Sequence, residues 1–339
     1  MIRFGIAGFG LHAVRRLMPG FALATKCRVT ALSRRDTEKA RAAARQFGIP
    51  LVFSSTEELC RSSEVDAVLV TTPNACHVAD VLAAVSAGKP VLCEKPMGMN
   101  AEECRQMVEA AQQARVLLGV AQVFRFEDST ARLRQRVAAG DIGRPIQARA
   151  EFHYDGSLHP RIWLYDRSIS GGGPISDVGV HCIDALRYIL QDDVRFVSAL
   201  GHGDANSGDV ESSASLNLEF ARGTLAAVLV STRASYRTPV EIVGEAGALR
   251  AQDAFNVEKP IQIELWRDGK LAAEETVSND TAYARQVDGF TDWIEGRREE
   301  FPAPGMEGWI NQIVLDAAYL SLSTGVRQKV LMPARKGQT

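Results

Sequence analysis

Ile2-Arg3-Phe4-Gly5-Ile6-Ala7-Gly8-Phe9-Gly10-Leu11-His12-Ala13 is the stretch from which the fold is read. An apolar run from Arg3 to Ala7 has the length and composition of a buried strand. It breaks at Gly8-x-Gly10-x-x-Ala13, and a helical pattern runs from His12 to Phe21. The glycines allow a tight turn and close approach of the backbone to a pyrophosphate. The small residue at Ala13 allows the helix to pack closely on the strand, and the helix N-terminus favours negative charge. A plain tight turn would look the same in isolation, so the rest of the chain has to carry the reading.

Strand and helix alternate over the next hundred residues. Strands are predicted at Arg28–Leu32, Leu51–Phe53, Ala67–Thr71, Val91–Cys93 and Val116–Val120. Helical patterns lie between them at Thr37 to Phe47, Ala75 to Ala87 and Ala101 to Gln113. Short connections between such elements argue for a parallel, doubly wound sheet. In Lys89-Pro90-Val91-Leu92-Cys93-Glu94-Lys95-Pro96 an apolar run ends in a charged pair. That pair falls at the carboxyl edge of the sheet, where open α/β sheets bind ligands.

The pattern changes after residue 122. A helix from about Ser129 to Ala139 stops at Gly140. Ile146, Ala148, Ala150, Phe152 and Tyr154 then alternate with Gln147, Arg149, Glu151 and His153. A second alternating run, Ala214 to Phe220, turns at Ala221-Arg222-Gly223 into Leu225–Val230. Asp268-Gly269 marks a hairpin between Ile261–Trp266 and Leu271–Val277. Strands with one polar face form antiparallel sheets. Helices are predicted at about Thr281–Glu295 and Met306–Ser323. The reading is α/β: an N-terminal doubly wound parallel sheet over residues 1–122, and a second α/β domain with a large open, mostly antiparallel sheet over 123–333. The polar tail 334–339 is expected to be frayed.

The chain has 339 residues, enough for about two domains. Its net charge of −2 gives no footprint for nucleic acid or an anionic membrane surface. No apolar segment is long enough to span a bilayer, and Met1 leads straight into a strand, so a cytoplasmic protein is expected. The six cysteines are scattered, which fits reduced thiols; Cys93 and Cys182 read as core residues. The histidines show no metal-ligand spacing, and no metal is expected.

Four places carry candidate chemistry. The second strand ends in Ser33-Arg34-Arg35-Asp36. An acid at the first loop position would bind the ribose 2′-hydroxyl of NAD. A hydroxyl followed by guanidinium groups suits a 2′-phosphate instead. Asp36 could cap the next helix or still serve a ribose. Thr71-Thr72-Pro73-Asn74 closes the fourth strand, either against a dinucleotide or as a turn in which Asn74 caps the helix of His77. Glu94-Lys95 is either a proton-transfer pair or a surface ion pair. Gly171-Gly172-Gly173-Pro174 feeds a helix to Leu190 on which Asp177, His181 and Asp184 share a face. An acid and a histidine one turn apart make either an acid–base pair or a satisfied surface pair.

Together these residues resemble the Gfo/Idh/MocA family of oxidoreductases, named for glucose–fructose oxidoreductase and inositol dehydrogenase. The glycine loop, Thr72-Pro73-Asn74 with His77, Glu94-Lys95-Pro96, Arg125-Phe126 and the Asp177-x-x-x-His181 helix come in the family's order, almost end to end. The resemblance implies a Rossmann domain followed by a substrate-binding and oligomerisation domain. It implies a dinucleotide held by Gly8, Phe9, Gly10, Leu11, Ser33, Arg34, Arg35, Thr72, Pro73, Asn74, His77, Glu94 and Lys95. A sugar, polyol or related carbonyl compound is the implied substrate. Lys95 would hold and help protonate the reacting oxygen, His181 would be the main acid–base group, and Asp177 would orient substrate or tune the relay. Arg125, Arg161, Trp163 and Tyr283 are implied pocket residues. Ala13 replaces the third glycine, and the acid after the second strand is missing, so NADP(H) is favoured over NAD(H). A homodimer or homotetramer joined through the open sheet is expected. Two other readings stand beside this one: a dinucleotide-sensing regulator that does not turn over, and a glycosidase that uses NAD transiently.

Overall fold

The protein is described by a computed structural model over residues 1–158 and 160–333. The expected frayed tail, 334–339, lies outside the described residues. Six parallel strands form the first sheet: β1 (Ile2–Ala7), β2 (Cys27–Ser33), β3 (Leu51–Phe53), β4 (Ala67–Val70), β5 (Val91–Cys93) and β6 (Leu118–Val120). Their order is β3-β2-β1-β4-β5-β6, so the chain reverses direction across the sheet between β1 and β4. That reversal is the switch point at which such sheets bind dinucleotides. Every residue of β4 and β5 is buried, as a strand covered on both faces requires. The helix Thr37–Phe47 has the predicted bounds. The short helix Thr56–Arg61 was not predicted; at six residues it is too brief to show a period.

The chain packs as two compact units. The first comprises Met1–Phe126 with Asp280–Trp309; the second comprises Glu127–Asn279 with the chain from Ile310 onward. This differs from the contiguous division 1–122 and 123–333. The reason is aromatic packing within the first unit. Phe290, on the helix Ala282–Ile294, meets Phe4 at 6.3 Å and Phe301 at 5.3 Å, and Phe126 meets Phe301 at 5.3 Å. Gly119 in β6 makes room for this cluster: a Cβ there would lie 2.9 Å from Phe301 and 3.0 Å from Phe290. Asp288 adds polar ties by accepting from the backbone N–H groups of Thr25 and Lys26, each at 2.9 Å. Val120 donates to the Ala303 carbonyl at 2.9 Å, so the returning segment also covers the β6 edge.

The second unit is built on a sheet of ten strands among the described residues. They are β7 (Pro145–Asp155), β8 (Val194–His202), β9 (Ser213–Phe220), β10 (Leu225–Ser231), β11 (Arg233–Arg237), β12 (Val240–Gly244), β13 (Gly247–Ala251), β14 (Pro260–Arg267), β15 (Lys270–Ser278) and β16 (Gln328–Lys329). The order is β15-β14-β13-β12-β7-β10-β9-β8-β16, with β11 on β7. All pairs are antiparallel except β7 with β10. Asp268 and Gly269 both have positive φ, as the predicted two-residue hairpin turn demands. The register aligns Ala148 with Ala226, Leu218 and Val197 on one side and with Ile242, Leu249 and Leu265 on the other. This row is buried. The opposite face carries Gln147, Arg149, Glu219 and Glu241 around an open trough, with Leu225 53% and Leu200 75% exposed. Glu151 belongs to that face by alternation, yet is buried: its N–H donates to Pro239, and Arg237 Nε lies 2.7 Å from its carboxylate.

Candidate active site

Within the first unit the carboxyl edge gathers four of the predicted segments. Gly8 and Phe9 donate their backbone N–H groups to the Ser33 carbonyl at 3.1 and 3.0 Å, which binds the glycine loop to the end of β2. Gly8 has φ +82, and a Cβ on it would meet Thr72 at 2.5 Å, so only glycine fits beside the β4 loop. A Cβ on Gly10 would touch only the Gly8 carbonyl, at 3.6 Å. The backbone there stays open to a close neighbour, which suits a pyrophosphate. The Phe9 side chain is buried and packs at 5.8 Å on Phe47, so only its main chain is available to a ligand.

Ser33 is buried at the end of β2, Arg34 is half-buried and Arg35 is exposed. Asp36 is the N-cap of the helix Thr37–Phe47 and accepts from Lys39 N–H at 3.0 Å. That backbone bond, with help from the Lys39 side chain, keeps its carboxyl below the usual range. The Thr71 hydroxyl donates to the Gly8 carbonyl at 2.9 Å, and that of Thr72 to Asp80 at 2.6 Å. Pro73 and Asn74 enter a single tight turn, Asn74–Cys76, without a side-chain cap. His77 is buried between the carbonyls of Thr72, at 2.8 Å, and Pro96, at 3.0 Å. Burial outweighs both bonds and holds the ring's pKa below its usual value. A neutral ring donates only one of these bonds, and His77 acts as a strut between the β4 and β5 loops.

Glu94 and Lys95 follow β5, with Glu94 buried and Lys95 half-buried. A Glu94 oxygen lies 2.9 Å from His12 Nε2, and the other accepts from Lys95 N–H at 3.2 Å. Burial raises the Glu94 carboxyl, but the His12 contact and the Lys95 charge outweigh it and leave it below the usual range. Tyr283 packs edge-on to His12 at 6.1 Å. Arg125 is placed differently: its buried guanidinium donates to the Pro302 carbonyl at 2.7 Å and to Glu307 at 2.8 Å.

In the second unit the helix begins with a π-helical stretch, Ile175–Gly179, and continues as Val180–Leu190. Its i→i+5 bonding keeps residues four apart on one side, so Asp177 and His181 stay together. Tyr154 on β7 donates to Asp177 at 2.8 Å. His181 is buried and stacks on Phe152 at 6.1 Å. Asp184 leaves this group and accepts from Asn311 at 2.7 Å. Arg161 lies over Trp163 at 6.0 Å, and its charge acts on Tyr154. The glycine run has a packing cause: a Cβ on Gly172 would lie 1.8 Å from the Tyr319 hydroxyl, and one on Gly173 1.9 Å from the Glu211 carbonyl. The Glu211 carboxylate accepts from Ile175 N–H at 3.1 Å and from Tyr319 at 2.9 Å, capping the helix. Tyr154, Glu211 and the role of His12 were missed in the sequence reading, because each contact joins residues more than twenty positions apart.

Five of the six cysteines are buried and none is in a disulfide. Burial pushes the Cys27 and Cys60 thiols up to about 12 and raises those of Cys93 and Cys182, so the last two are inert core groups. Among the described residues no cluster of His, Cys, Asp or Glu could hold a metal, and no helix is long and apolar enough to cross a membrane.

The switch-point sheet with its glycine loop defines a dinucleotide-binding protein of the Rossmann fold. Residues 2–122 match the GFO/IDH/MocA "Oxidoreductase family, NAD-binding Rossmann fold", and residues 130–250 match the family's C-terminal domain. The chain belongs to this family. It is 33% identical over 311 residues to 1,5-anhydro-D-fructose reductase of Ensifer adhaerens, covering 91% of this chain and 92% of that protein. It is 30% identical over 332 residues to D-xylose 1-dehydrogenase (NADP(+)) 2 of Haloferax volcanii, covering 95% and 98%. The crystal structure of aldose-aldose oxidoreductase from Caulobacter crescentus, complexed with glycerol, superposes with a TM-score of 0.89 at 25% identity, covering 97% and 99%.

Proposed function

We propose that this protein is an NADP(H)-dependent oxidoreductase that transfers hydride between nicotinamide and a sugar, polyol or keto-sugar. The observation that carries the reading is Glu94-Lys95 at the carboxyl edge beside the Gly8–His12 loop, in a chain that also keeps the Asp177-x-x-x-His181 helix. Relatives named for a sugar substrate, one of them for NADP(+), support the substrate class and the cofactor. The open backbone at Gly10 supports a pyrophosphate there, and Asp36 already serves as the N-cap of its own helix. Ser33 and Arg34 are then the groups for a 2′-phosphate.

Nicotinamide, when bound, supplies the carbon that accepts or gives hydride. The chain's own groups handle the proton. Lys95 is the hydrogen-bond donor to the reacting oxygen, His181 the acid–base group, and Asp177 the carboxylate that orients substrate or the relay. Arg161, Trp163 and Tyr283 are the proposed substrate contacts. Arg125 serves the segment around Pro302. The free thiols support a cytoplasmic setting, and the open sheet face supports a homodimer or tetramer. A panel of sugars, polyols and keto-sugars, followed by nicotinamide absorbance with both cofactors, tests the reading. Turnover of none of them, with tight dinucleotide binding, would favour the regulator.

A further inference from the structure

We infer that His12 is a positioning residue of this reaction, which presets the Glu94 carboxylate for the nicotinamide half of the dinucleotide. The inference rests on the function proposed above and adds a residue to it. In the sheet, β4 lies between β1 and β5, so the loops after β1 and β5 start about two strand spacings, or ~10 Å, apart. The 2.9 Å contact between His12 Nε2 and Glu94 Oε1 closes that gap across the end of β4. The His12 side chain is 27% exposed and that of Glu94 11%. The pair is therefore largely out of water but still reachable.

Glu94 is held at both oxygens, by the imidazole at one and the Lys95 backbone N–H at the other. The plane of the carboxylate and the root of the Lys95 side chain are thus set by the same contacts. Each oxygen keeps a lone pair for a hydroxyl donor, which a ribose supplies as adjacent groups. Without His12, a nearly buried carboxylate loses a charge-assisted partner and its orientation. Tyr283 packs edge-on to the imidazole and limits its rotation. The carboxyl's lowered pKa agrees with a standing ionised acceptor.

The test compares the tighter-binding of NADPH and NADH with its adenosine half, adenosine 2′,5′-bisphosphate or ADP, by fluorescence titration. His12→Ala is expected to weaken the dinucleotide about tenfold and the adenosine half less than about twofold. At saturating cofactor, kcat should fall less than about threefold. His12→Gln, which keeps an N–H donor, should recover most of the loss. Glu94→Gln should weaken the dinucleotide similarly, and the double variant should be no worse than the weaker single. Thermal melts and circular dichroism establish that each variant is folded. Unchanged dinucleotide affinity in folded His12→Ala, equal loss of the adenosine half, or additive losses would each overturn the inference while leaving the proposed function standing. Wild-type protein that binds neither ligand would overturn both.

Discussion

Tyr154 donates its hydroxyl hydrogen to the Asp177 carboxylate at 2.8 Å, tying β7 to the first turn of the helix that carries His181. Burial, and then the Asp177 charge, raise the phenol's pKa well above its usual value, so Tyr154 remains a donor through the working pH range. Tyr154→Phe should lower kcat about tenfold, the value of one charge-assisted hydrogen bond, without a new limb in the pH–rate profile. Steady-state kinetics across pH would check this. A wild-type kcat would remove Tyr154 from the support of Asp177.

Hydride transfer at carbon needs a matched proton transfer at the attached oxygen. Positioned acid–base groups supply about 10²–10⁴-fold in rate. Lys95→Met and His181→Ala should each lower kcat by that order, while cofactor affinity changes less than about tenfold. Asp177→Asn should fall between these and wild type. Near wild-type turnover by Lys95→Met would show that Lys95 is not a catalytic residue.

β2 ends on the buried Ser33, and the loop after it carries a half-buried Arg34, while Asp36 caps the next helix. An arginine–phosphate contact is worth about 1.5–3 kcal/mol. NADP(H) should therefore bind at least about tenfold more tightly than NAD(H), and Arg34→Ala should remove most of the difference. Tryptophan-fluorescence titration of both cofactors measures it. Equal affinities in the wild type would count against the 2′-phosphate reading.

The outer face of the second sheet exposes Leu200, Leu225 and Val243 among Gln147, Arg149 and Glu219. An interface there would be broad and partly polar. Light scattering at micromolar concentration should give a homodimer or tetramer, and Leu225→Arg should shift it toward smaller species. A monomeric wild type would exclude this assembly.

Asp66, just before β4, accepts from the Arg3 side chain on β1 at 2.9 and 2.7 Å. The Arg3 hydrogen bonds outweigh partial burial and hold its carboxyl below the usual range. A lowered carboxyl pKa adds stability that is complete above the ordinary carboxylate range and lost as pH falls through the folded-state value. Asp66→Asn should therefore lower the melting temperature most near neutral pH, and the gap to wild type should close in acid. A gap that persists unchanged into acid would show that the lost stability is not linked to this carboxyl.

Much of the first unit was legible along the chain because it is built from local signals. The glycine loop, the capped helix Thr37–Phe47 and the strand Val91–Cys93 each depend on residues close in sequence. The same holds for the Asp268-Gly269 hairpin, where positive φ at two adjacent residues needs no distant partner. The return of 280–309 to the first unit was not legible. Its cause is a three-way fit of Phe290, Phe301 and Gly119, and periodicity in a helix says which face is apolar but not which core receives it.

The sequence by itself determined the doubly wound sheet, the positions of Lys95, Asp177 and His181 on their elements, and the Ser33-Arg34 pair at the end of the second strand, because strand ends and helical spacing are local properties. Tertiary structure alone decided what those residues lean on. It set His12 against Glu94, Tyr154 against Asp177, and Glu211 and Tyr319 against the glycine run. It also turned His77 from a ligand-facing residue into a strut, and Asp184 toward Asn311. Hydrogen bonds and close packing of this kind join chain segments far apart in sequence, and only the folded backbone brings their donors and acceptors within reach.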